Sequence, residues 1–168
     1  RLDPVKNQRM MLRAFKKFSE ENPGAFLLMV GDGPEKEELV ELATEYGINQ
    51  QTIFTGFINN PGHYLAAMDL FLLSSHTEGT SMTLLEAMSL EIPAVATRVG
   101  GNPEIIKDGI TGMLIEPDMA SPFALAIKEL HQDPVLRQSM GKAARQRFDA
   151  RFSASAMIYQ YRRVYGEH

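Results

Sequence analysis

Short apolar runs alternate with amphipathic helical segments along almost the whole of this 168-residue sequence. A continuous apolar run predicts a buried strand, whereas apolar residues at intervals of three and four predict a helix. The predicted strands are residues 26–30, 52–55, 70–73, 94–97 and 113–115. Because a helical segment separates each strand from the next, the sequence predicts a Rossmann-like, three-layer α/β/α sandwich with a mostly parallel sheet.

The C-terminal part of the chain, from Ser121 onward, is predicted to be helical, with breaks near residues 133–134 and 151–153. Ser153 is expected to cap the final helix through its hydroxyl. No repeat, low-complexity segment or linker interrupts the sequence, which predicts one domain over residues 1–168. The opening residues resemble the end of a strand, so we expect a fragment of a longer protein with its first strand truncated.

Composition narrows the class of protein. The net charge of −4 gives no electrostatic reason to expect a nucleic-acid partner. The absence of cysteine excludes disulfides and thiolate metal sites and is compatible with a reducing cytoplasm, the expected location. No apolar run approaches the roughly 20 residues that a membrane span needs.

Several common catalytic motifs are missing from the sequence. Gly31-Asp32-Gly33 lacks the third glycine of a GxGxxG dinucleotide fingerprint, and no GxxxxGK[ST] phosphate loop occurs. Residues 79–83 end in Thr83 where a nucleophile elbow needs glycine, which argues against a hydrolase serine. The four histidines have no metal-ligand spacing, so no metal site is predicted.

Four loops that follow predicted strands are rich in Gly, Ser, Thr or Asn: residues 31–34, 56–60, 74–81 and 98–102. Ligands of open α/β sheets bind beyond the carboxyl ends of the strands, where such loops gather. Small residues let backbone N–H groups approach a ligand closely. We therefore expect a binding rim at this edge, with His76 as one of its loop residues.

Glu78 and Glu86 are separated by seven residues, and the first lies just before a helix expected to begin near Thr80. A helix N-terminus presents unpaired N–H groups and a partial positive charge, which suit a phosphate. Glu86 falls in the apolar segment 84–88, so we expect it to lie deeper than Glu78 and to accept hydrogen bonds from sugar hydroxyls. The alternative is that Glu86 faces solvent and Glu78 only interacts with the helix dipole.

Two cations, Arg1 and Lys6, flank residues 2–5 at the same expected edge of the sheet. Arg offers a planar fork of donors and Lys a point charge, so together they could neutralise a diphosphate. The alternative is that both are surface charges at a frayed chain terminus. The shared edge with the Glu78 loop favours the phosphate interpretation.

Short motifs follow one another in a fixed order over nearly the whole chain: Arg1-Leu2 with Lys6, Gly31-Asp32-Gly33-Pro34, Phe54-Thr55-Gly56, Ser74-Ser75 through Glu78-Gly79, Leu84-Leu85-Glu86-Ala87-Met88, Pro93-Ala94-Val95-Ala96-Thr97, Gly100-Gly101 with Pro103-Glu104, and Asp108-Gly109 with Thr111-Gly112. With the paired glutamates, this series resembles the C-terminal, donor-binding half of a family 4 (group 1) retaining glycosyltransferase. Such enzymes have the two-Rossmann-domain (GT-B) fold.

The resemblance implies a role for each matching side chain. Glu78 would contact hydroxyls of the donor hexose, and Glu86 would contact those of the ribose. Arg1 and Lys6 would hold the diphosphate and stabilise the departing nucleotide. The remaining matched positions would complete the nucleotide cleft, through backbone N–H groups, a wall beside the base and a glycine lining: Gly79, Thr80, Ser81, Ile58 and Gly33.

The resemblance also implies a function for the longer protein. It would transfer a hexosyl group from a UDP- or GDP-sugar to a glycan or lipid-linked acceptor, with retention and without a metal or other cofactor. The N-terminal domain would supply the acceptor site, so this chain alone should bind the donor without efficient transfer. Peripheral association of the full-length enzyme with the inner face of the membrane stays open. Two other functions also stay open: a nucleotide-sugar epimerase and a non-enzymatic, flavodoxin-like binding module.

Two further expectations concern the C-terminal half. The family usually has a glycine in the turn where this chain has Glu91, which would be strained if the turn needs a positive φ. The final helix, about residues 153–165, is expected to cross to the other domain, although docking on its own core is the alternative. Its apolar and aromatic face comprises Phe152, Met157, Ile158, Tyr161, Val164 and Tyr165.

Overall fold

The computed structural model describes residues 1–166, apart from the side chain of Val164. The strands of this part are β1 (Leu27–Met29), β2 (Thr52–Phe54), β3 (Phe71–Leu73), β4 (Ala94–Thr97) and β5 (Gly112–Ile115). The helices are α1 (Gln8–Ser19), α2 (Lys36–Glu45), α3 (Gly62–Ala66), α4 (Met82–Ser89), α5 (Asn102–Ile105), α6 (Ala120–Gln132), α7 (Pro134–Arg151) and α8 (Ala154–Tyr165). A 3₁₀ turn at Pro4–Lys6 precedes them. None of these helices is long and apolar enough to cross a membrane.

The five described strands are all parallel, as predicted, but they form two groups and not one continuous sheet. β1 pairs with β2, and β4 lies between β3 and β5. β1 and β3 both line a cavity of about 1150 Å³ that separates the two groups. The sequence could not show this division. An apolar run indicates that a strand is buried, but it does not indicate which strand it pairs with.

The central strand β4 shows how the layers are built, because all four of its residues are buried. Val95 packs into an apolar cluster with α1, α2 and α6, whereas Ala94 and Ala96 pack against α4, α5 and α7. Successive side chains of a strand point to opposite faces. Helices therefore cover both faces of the strands, which confirms the predicted three-layer sandwich.

Element boundaries follow the sequence signals closely, with one shift near the expected site. Ser153 caps α8 as predicted, because its hydroxyl accepts from the Ala156 N–H at 3.2 Å. α4 begins at Met82, slightly later than expected, and Ser81 is its N-cap residue with an extended backbone. Residues 78–80 therefore belong to a loop that precedes the helix.

The turn after α4 contains the strained residue that the sequence predicted. Glu91 has a φ of +60°, a conformation that costs an L residue about 1–2 kcal/mol. Its carbonyl oxygen packs against α7 at Gly141, where a Cβ atom would overlap it. The close contact between the two backbones fixes the turn.

Candidate active site

The candidate site lies at the carboxyl ends of the strands, around the cavity between β1 and β3. The chain runs from β2 through α3 to β3, which lies on the other side of this cavity. Open α/β sheets bind ligands at such a switch in strand order. Backbone hydrogen bonds join the loops here: the His76 N–H donates to Val5 O (2.8 Å), and the Leu2 N–H donates to Asp32 O (2.9 Å).

Lys6 and Glu78 form an ion pair at this edge, with 2.7 Å between Nζ of the lysine and Oε1 of the glutamate. The buried hydroxyl of Ser75 donates to the same carboxylate oxygen at 2.6 Å. The Glu78 side chain is only 8% exposed, whereas that of Lys6 is 33% exposed and lines the cavity. An ammonium group has three N–H donors, so Lys6 can hold Glu78 and still donate to a ligand.

A glycine pair fixes the turn that carries Glu78. The Gly101 N–H donates to Glu78 O at 3.2 Å. A Cβ atom on Gly100 would overlap the carbonyl oxygen of Glu78, and one on Gly101 would overlap that of Gly79. These glycines therefore position the site by close backbone contact. The motif series included the pair, but only the structure reveals this positioning role.

Gly79, Thr80 and Ser81 lead directly into α4. Gly79 and Thr80 are exposed, whereas Ser81 is buried. The Ser81 side chain makes no capping hydrogen bond and lies 3.3 Å from the hydroxyl of Thr83. Since Ser81 does not cap them, the first N–H groups of α4 keep the partial positive charge of a helix N-terminus.

Glu86 occupies a different position from the one expected. The residue is exposed and lines the cavity together with Thr83, one helical turn earlier. Its apolar neighbours Leu85 and Met88 fill the core-facing side of α4, so the carboxylate points away from the core. The expectation that Glu86 lies deeper than Glu78 is therefore wrong, because the side chain of Glu78 is the more enclosed of the two.

Arg1 lines the cavity as expected, but its side chain is 76% exposed and pairs with Asp3 at 3.2 Å. Gly33 lies against the N-terminal segment, because a Cβ atom there would overlap the backbone of Leu2. The neighbouring residue Asp32 lines the cavity in its place. Gly33 thus holds the loop by close packing, in contrast to its expected place in the cleft lining.

The loop after β2 provides an apolar wall on this edge. Ile58 is partly buried and lines the cavity, as expected from its position after Gly56. Phe57 is exposed beside it, and Leu65 of α3 lies on the same wall. A flat, partly apolar group such as a nucleobase could pack there.

Asp32 contributes a fixed negative charge to the rim. The Gly33 N–H donates to its Oδ1 atom at 2.9 Å, and Lys36 lies 3.4 Å from its Oδ2 atom. The first of these contacts, assisted by the second, lowers the pKa of the Asp32 carboxyl below its ordinary value. The carboxylate therefore stays ionised well into mildly acidic solution.

Asn7, the residue that follows Lys6, belongs to a polar cluster that the sequence did not predict. Asn7 has a φ of +49°, accepts from the Met10 N–H at 3.3 Å and donates to Asp118 at 2.9 Å. His76 lies 3.7 Å from the same aspartate, which agrees with its expected place in a rim loop. Asparagine before a helical segment was the available signal, because it favours both N-caps and left-handed turns.

The site as a whole suits a ligand that combines an anionic group, hydroxyls and an apolar part. Lys6 and the N-terminus of α4 favour an anionic group, whereas the carboxylates of Glu78 and Glu86 can accept hydrogen bonds from hydroxyls. The wall at Ile58 adds an apolar surface. Within residues 1–166, no group of three or more histidine, aspartate or glutamate side chains could hold a metal ion.

Known proteins are similar to this chain in both sequence and structure. The chain is 37% identical over 161 residues to N-acetyl-alpha-D-glucosaminyl L-malate synthase of Bacillus anthracis. The matched region covers 96% of this chain and 42% of that protein. The chain spans about two fifths of the length of the curated relatives it matches.

Solved structures agree with this similarity. HepE of Anabaena, determined in complex with UDP, superposes with a TM-score of 0.91 and 25% identity, over all of this chain and 47% of that one. The C-terminal domain of a group 1 glycosyl transferase, LpcC of Francisella tularensis, gives a TM-score of 0.83 and 25% identity, over 91% of this chain and 83% of that one.

The family assignment follows from the extent of the sequence match. The family model described as glycosyl transferases group 1 matches residues 1–147, most of the chain. The fold is that of its solved neighbours, which are glycosyltransferases of the GT-B type. This chain belongs to the group 1 glycosyl transferase family.

Proposed function

We propose that this chain is the donor-binding domain of an enzyme that transfers a hexosyl group from a UDP- or GDP-sugar to a glycan or lipid-linked acceptor. The observation that carries the proposal is the ion pair between Lys6 and Glu78 beside the uncapped N-terminus of α4. It brings a phosphate-binding cation and a hydroxyl-accepting carboxylate within one hydrogen bond of each other. The complex of the similar protein HepE with UDP supports this choice of ligand.

In this proposal the diphosphate binds between Lys6 and the turn at Gly79 and Thr80. The ammonium group and the backbone N–H groups donate to the phosphate oxygens, and Arg1 adds a second cation. These donors stabilise the negative charge that develops on the departing nucleotide. The positive field comes from the protein, so we propose that transfer needs no metal.

The two glutamates bind opposite parts of the donor. Glu78, held by Ser75 and Lys6, accepts hydrogen bonds from hydroxyls of the hexose. Glu86 extends from the exposed side of α4 and accepts from the ribose, while the base packs on the wall at Ile58. The enclosed carboxylate therefore serves the reacting sugar, and the exposed one serves the nucleotide.

Transfer with retention of anomeric configuration requires an acceptor that this domain does not bind by itself. We assign the acceptor site to an N-terminal domain of the full-length enzyme, acting in polysaccharide or glycoconjugate biosynthesis. The leaving phosphate, held by Lys6, would take the proton of the acceptor hydroxyl as the new glycosidic bond forms on the same face of the sugar.

Product analysis of the full-length enzyme tests this proposal. The protein is incubated with a panel of UDP- and GDP-sugars and with glycan and lipid-linked acceptors, and NMR determines the anomeric configuration of the product. We expect a hexosylated product with the configuration of the donor. Inversion of configuration would contradict the mechanism, and epimerised donor without transfer would contradict the function.

A further inference from the structure

Two adjacent serines, Ser74 and Ser75, directly follow β3 and precede the loop that carries Glu78. Both are buried, although serine is a residue type that is mostly exposed in proteins. A buried hydroxyl is costly unless it makes a hydrogen bond. The hydrogen-bond partners of the two serines therefore indicate what each of them does.

The hydroxyl of Ser74 contacts the backbone of the segment that carries Lys6. Its Oγ atom lies 2.9 Å from the carbonyl oxygen of Lys6 and 2.9 Å from that of Asn7. A hydroxyl group has one hydrogen atom, so the two carbonyls share it in a three-centre hydrogen bond. Ser74 thus holds the stretch of backbone from which the Lys6 ammonium group extends.

The hydroxyl of Ser75 contacts the other partner of the ion pair. It donates to Oε1 of Glu78 at 2.6 Å, and Nζ of Lys6 lies 2.7 Å from the same oxygen atom. Oε2 of Glu78 makes no hydrogen bond or ion pair with a residue that the structure describes, and it is not one of the buried polar atoms that lack a partner. Oε2 is therefore open to solvent and can accept from a ligand.

A buried threonine of the neighbouring strand holds the backbone of Ser75. Thr97 is the last residue of β4, and its hydroxyl donates to Ser75 O at 2.6 Å. The side-chain amide of Asn102, the first residue of α5, donates to Thr97 O at 2.9 Å. Both of these side chains are fully buried. The position of Ser75 is therefore set by the interior of the domain and not by the exposed loop that follows it.

We infer that Ser74 and Ser75 are positioning residues, of which Ser74 sets the place of Lys6 and Ser75 sets the orientation of Glu78. Ser75 and Lys6 together hold Oε1, so that Oε2 is the atom that accepts a hydrogen bond from a hydroxyl of the hexose. Ser74 keeps the ammonium group of Lys6 within reach of both Glu78 and a donor phosphate. Because it places a hexose at Glu78 and a phosphate at Lys6, this assignment rests on the proposed function.

Alanine at each serine of the full-length enzyme gives a matched pair of variants, since each loses one buried oxygen atom. Ser75→Ala should lower the transfer rate at saturating donor by about tenfold, the effect of one hydrogen bond to a charged group. It should leave the affinity for UDP or GDP within about threefold, because Lys6 keeps its place. Transfer kinetics and calorimetry measure the two effects.

Ser74→Ala should instead weaken binding of the plain nucleotide by about tenfold, because the backbone at Lys6 loses its donor and the ammonium group shifts. A purely structural role of the two serines would give both variants the same pattern of losses. Equal effects of the two substitutions on nucleotide affinity would therefore overturn the inference.

A double-mutant cycle shows whether Ser75 acts through Glu78. In an enzyme that already carries Glu78→Ala, the substitution Ser75→Ala should lower transfer by less than about twofold, because the carboxylate that it orients is absent. A further loss of about tenfold in that background would overturn the inference.

The unmodified full-length enzyme, measured beside these variants, separates the inference from the proposed function. If it neither binds UDP or GDP nor transfers a hexosyl group, the proposed function fails and the roles of the serines fail with it. If it does both, and the two serine variants lose nucleotide affinity equally, only the inference about the serines fails.

Discussion

The carboxylate of Glu78 is the most constrained group of the site at the scale of single residues. It is enclosed, yet it has a cation at 2.7 Å and a hydroxyl donor at 2.6 Å. A buried carboxylate persists only with such partners. Lys6 therefore has two tasks in our account: it compensates Glu78 within the domain and binds the donor phosphate.

Substitution of the two glutamates separates sugar binding from nucleotide binding. Glu78→Ala in the full-length enzyme should lower transfer by about 100-fold, the typical loss for one electrostatic contact in a transition state. It should leave UDP or GDP affinity within about threefold, because Lys6 is then fully available to phosphate. Transfer rates and calorimetry measure the two effects.

Glu86→Ala is the matched variant on the exposed side of α4. It should weaken binding of the plain nucleotide by about tenfold, equivalent to about 1.4 kcal/mol for a hydrogen bond to a charged group. Equal losses of nucleotide affinity in both variants would refute the division of roles. The sequence placed Glu78 on a loop and Glu86 on a helix, but it predicted the wrong one as the more enclosed. Most of the other residues of α4 are apolar, so nothing in the sequence indicated that Glu86 lies on the exposed side.

The helix and strand elements were largely predictable, since their burial patterns are local. The caps were also predictable where a side chain provides them, as at Ser153. The glycine pair at the Glu78 turn was not assigned a role, because its partner lies more than 20 residues away and only the fold brings the two together. A glycine-to-alanine substitution, which adds one carbon atom, tests how the glycine pair positions the turn.

Gly101→Ala should disturb the turn without unfolding the domain. The added methyl group would overlap Gly79 O and displace the phosphate-binding backbone, and a misplacement of about 1 Å can cost about 100-fold in rate. Gly24→Ala is the control, because nothing lies within 4 Å of a Cβ atom there. If Gly101→Ala is folded by circular dichroism and its transfer rate is unchanged, the turn at Gly79 does not have the proposed role in phosphate binding.

Glu91→Gly should stabilise the domain, because glycine adopts the observed φ of +60° without strain. After the entropy loss of glycine, the expected gain is about 0.5–1 kcal/mol in the free energy of unfolding. Urea denaturation of the full-length protein measures it. The neighbouring variant Leu90→Gly, at an ordinary φ of −103°, should destabilise. A loss of stability in Glu91→Gly would show that its side chain has a role that we have not identified.

In the part of the chain that the structure describes, the domain leaves an apolar face of α8 uncovered. Met157, Ile158, Tyr161 and Tyr165 are all exposed, whereas Phe152 packs on the domain core. The side chain of Val164, which the sequence placed on the same face, lies outside the described residues. A surface of this kind usually marks an interaction site, so the crossing of α8 to another domain stays a prediction.

Tyr161→Ser tests the crossing of α8. In the full-length enzyme it should lower stability by about 1–3 kcal/mol, because a buried aromatic side chain is lost at a domain interface. Tyr159→Ser is the control on the same helix. It replaces another exposed tyrosine that lies outside the predicted face. Equal effects of the two variants on thermal unfolding would indicate that this face of α8 has no partner domain.

The division of the sheet marks the limit of what one sequence can reveal at this scale. Each strand pattern is correct, but an apolar run does not show which neighbour a strand pairs with, so the separation of β1 from β3 could not be predicted. The main groups of the donor site come from loops that are joined to one another by hydrogen bonds, so their positions do not depend on the pairing of the strands.

Calorimetry with UDP, GDP and ADP on the full-length protein and its Lys6→Gln variant tests whether Lys6 binds the donor nucleotide. We predict that at least one nucleotide binds the unmodified protein without added metal. The variant should bind that nucleotide about ten- to a hundredfold more weakly, because a charge-assisted contact of about 1.5–3 kcal/mol is lost. Failure of all three nucleotides to bind, or equal affinity in the Lys6→Gln variant, would contradict the proposed role of Lys6 at the donor phosphate.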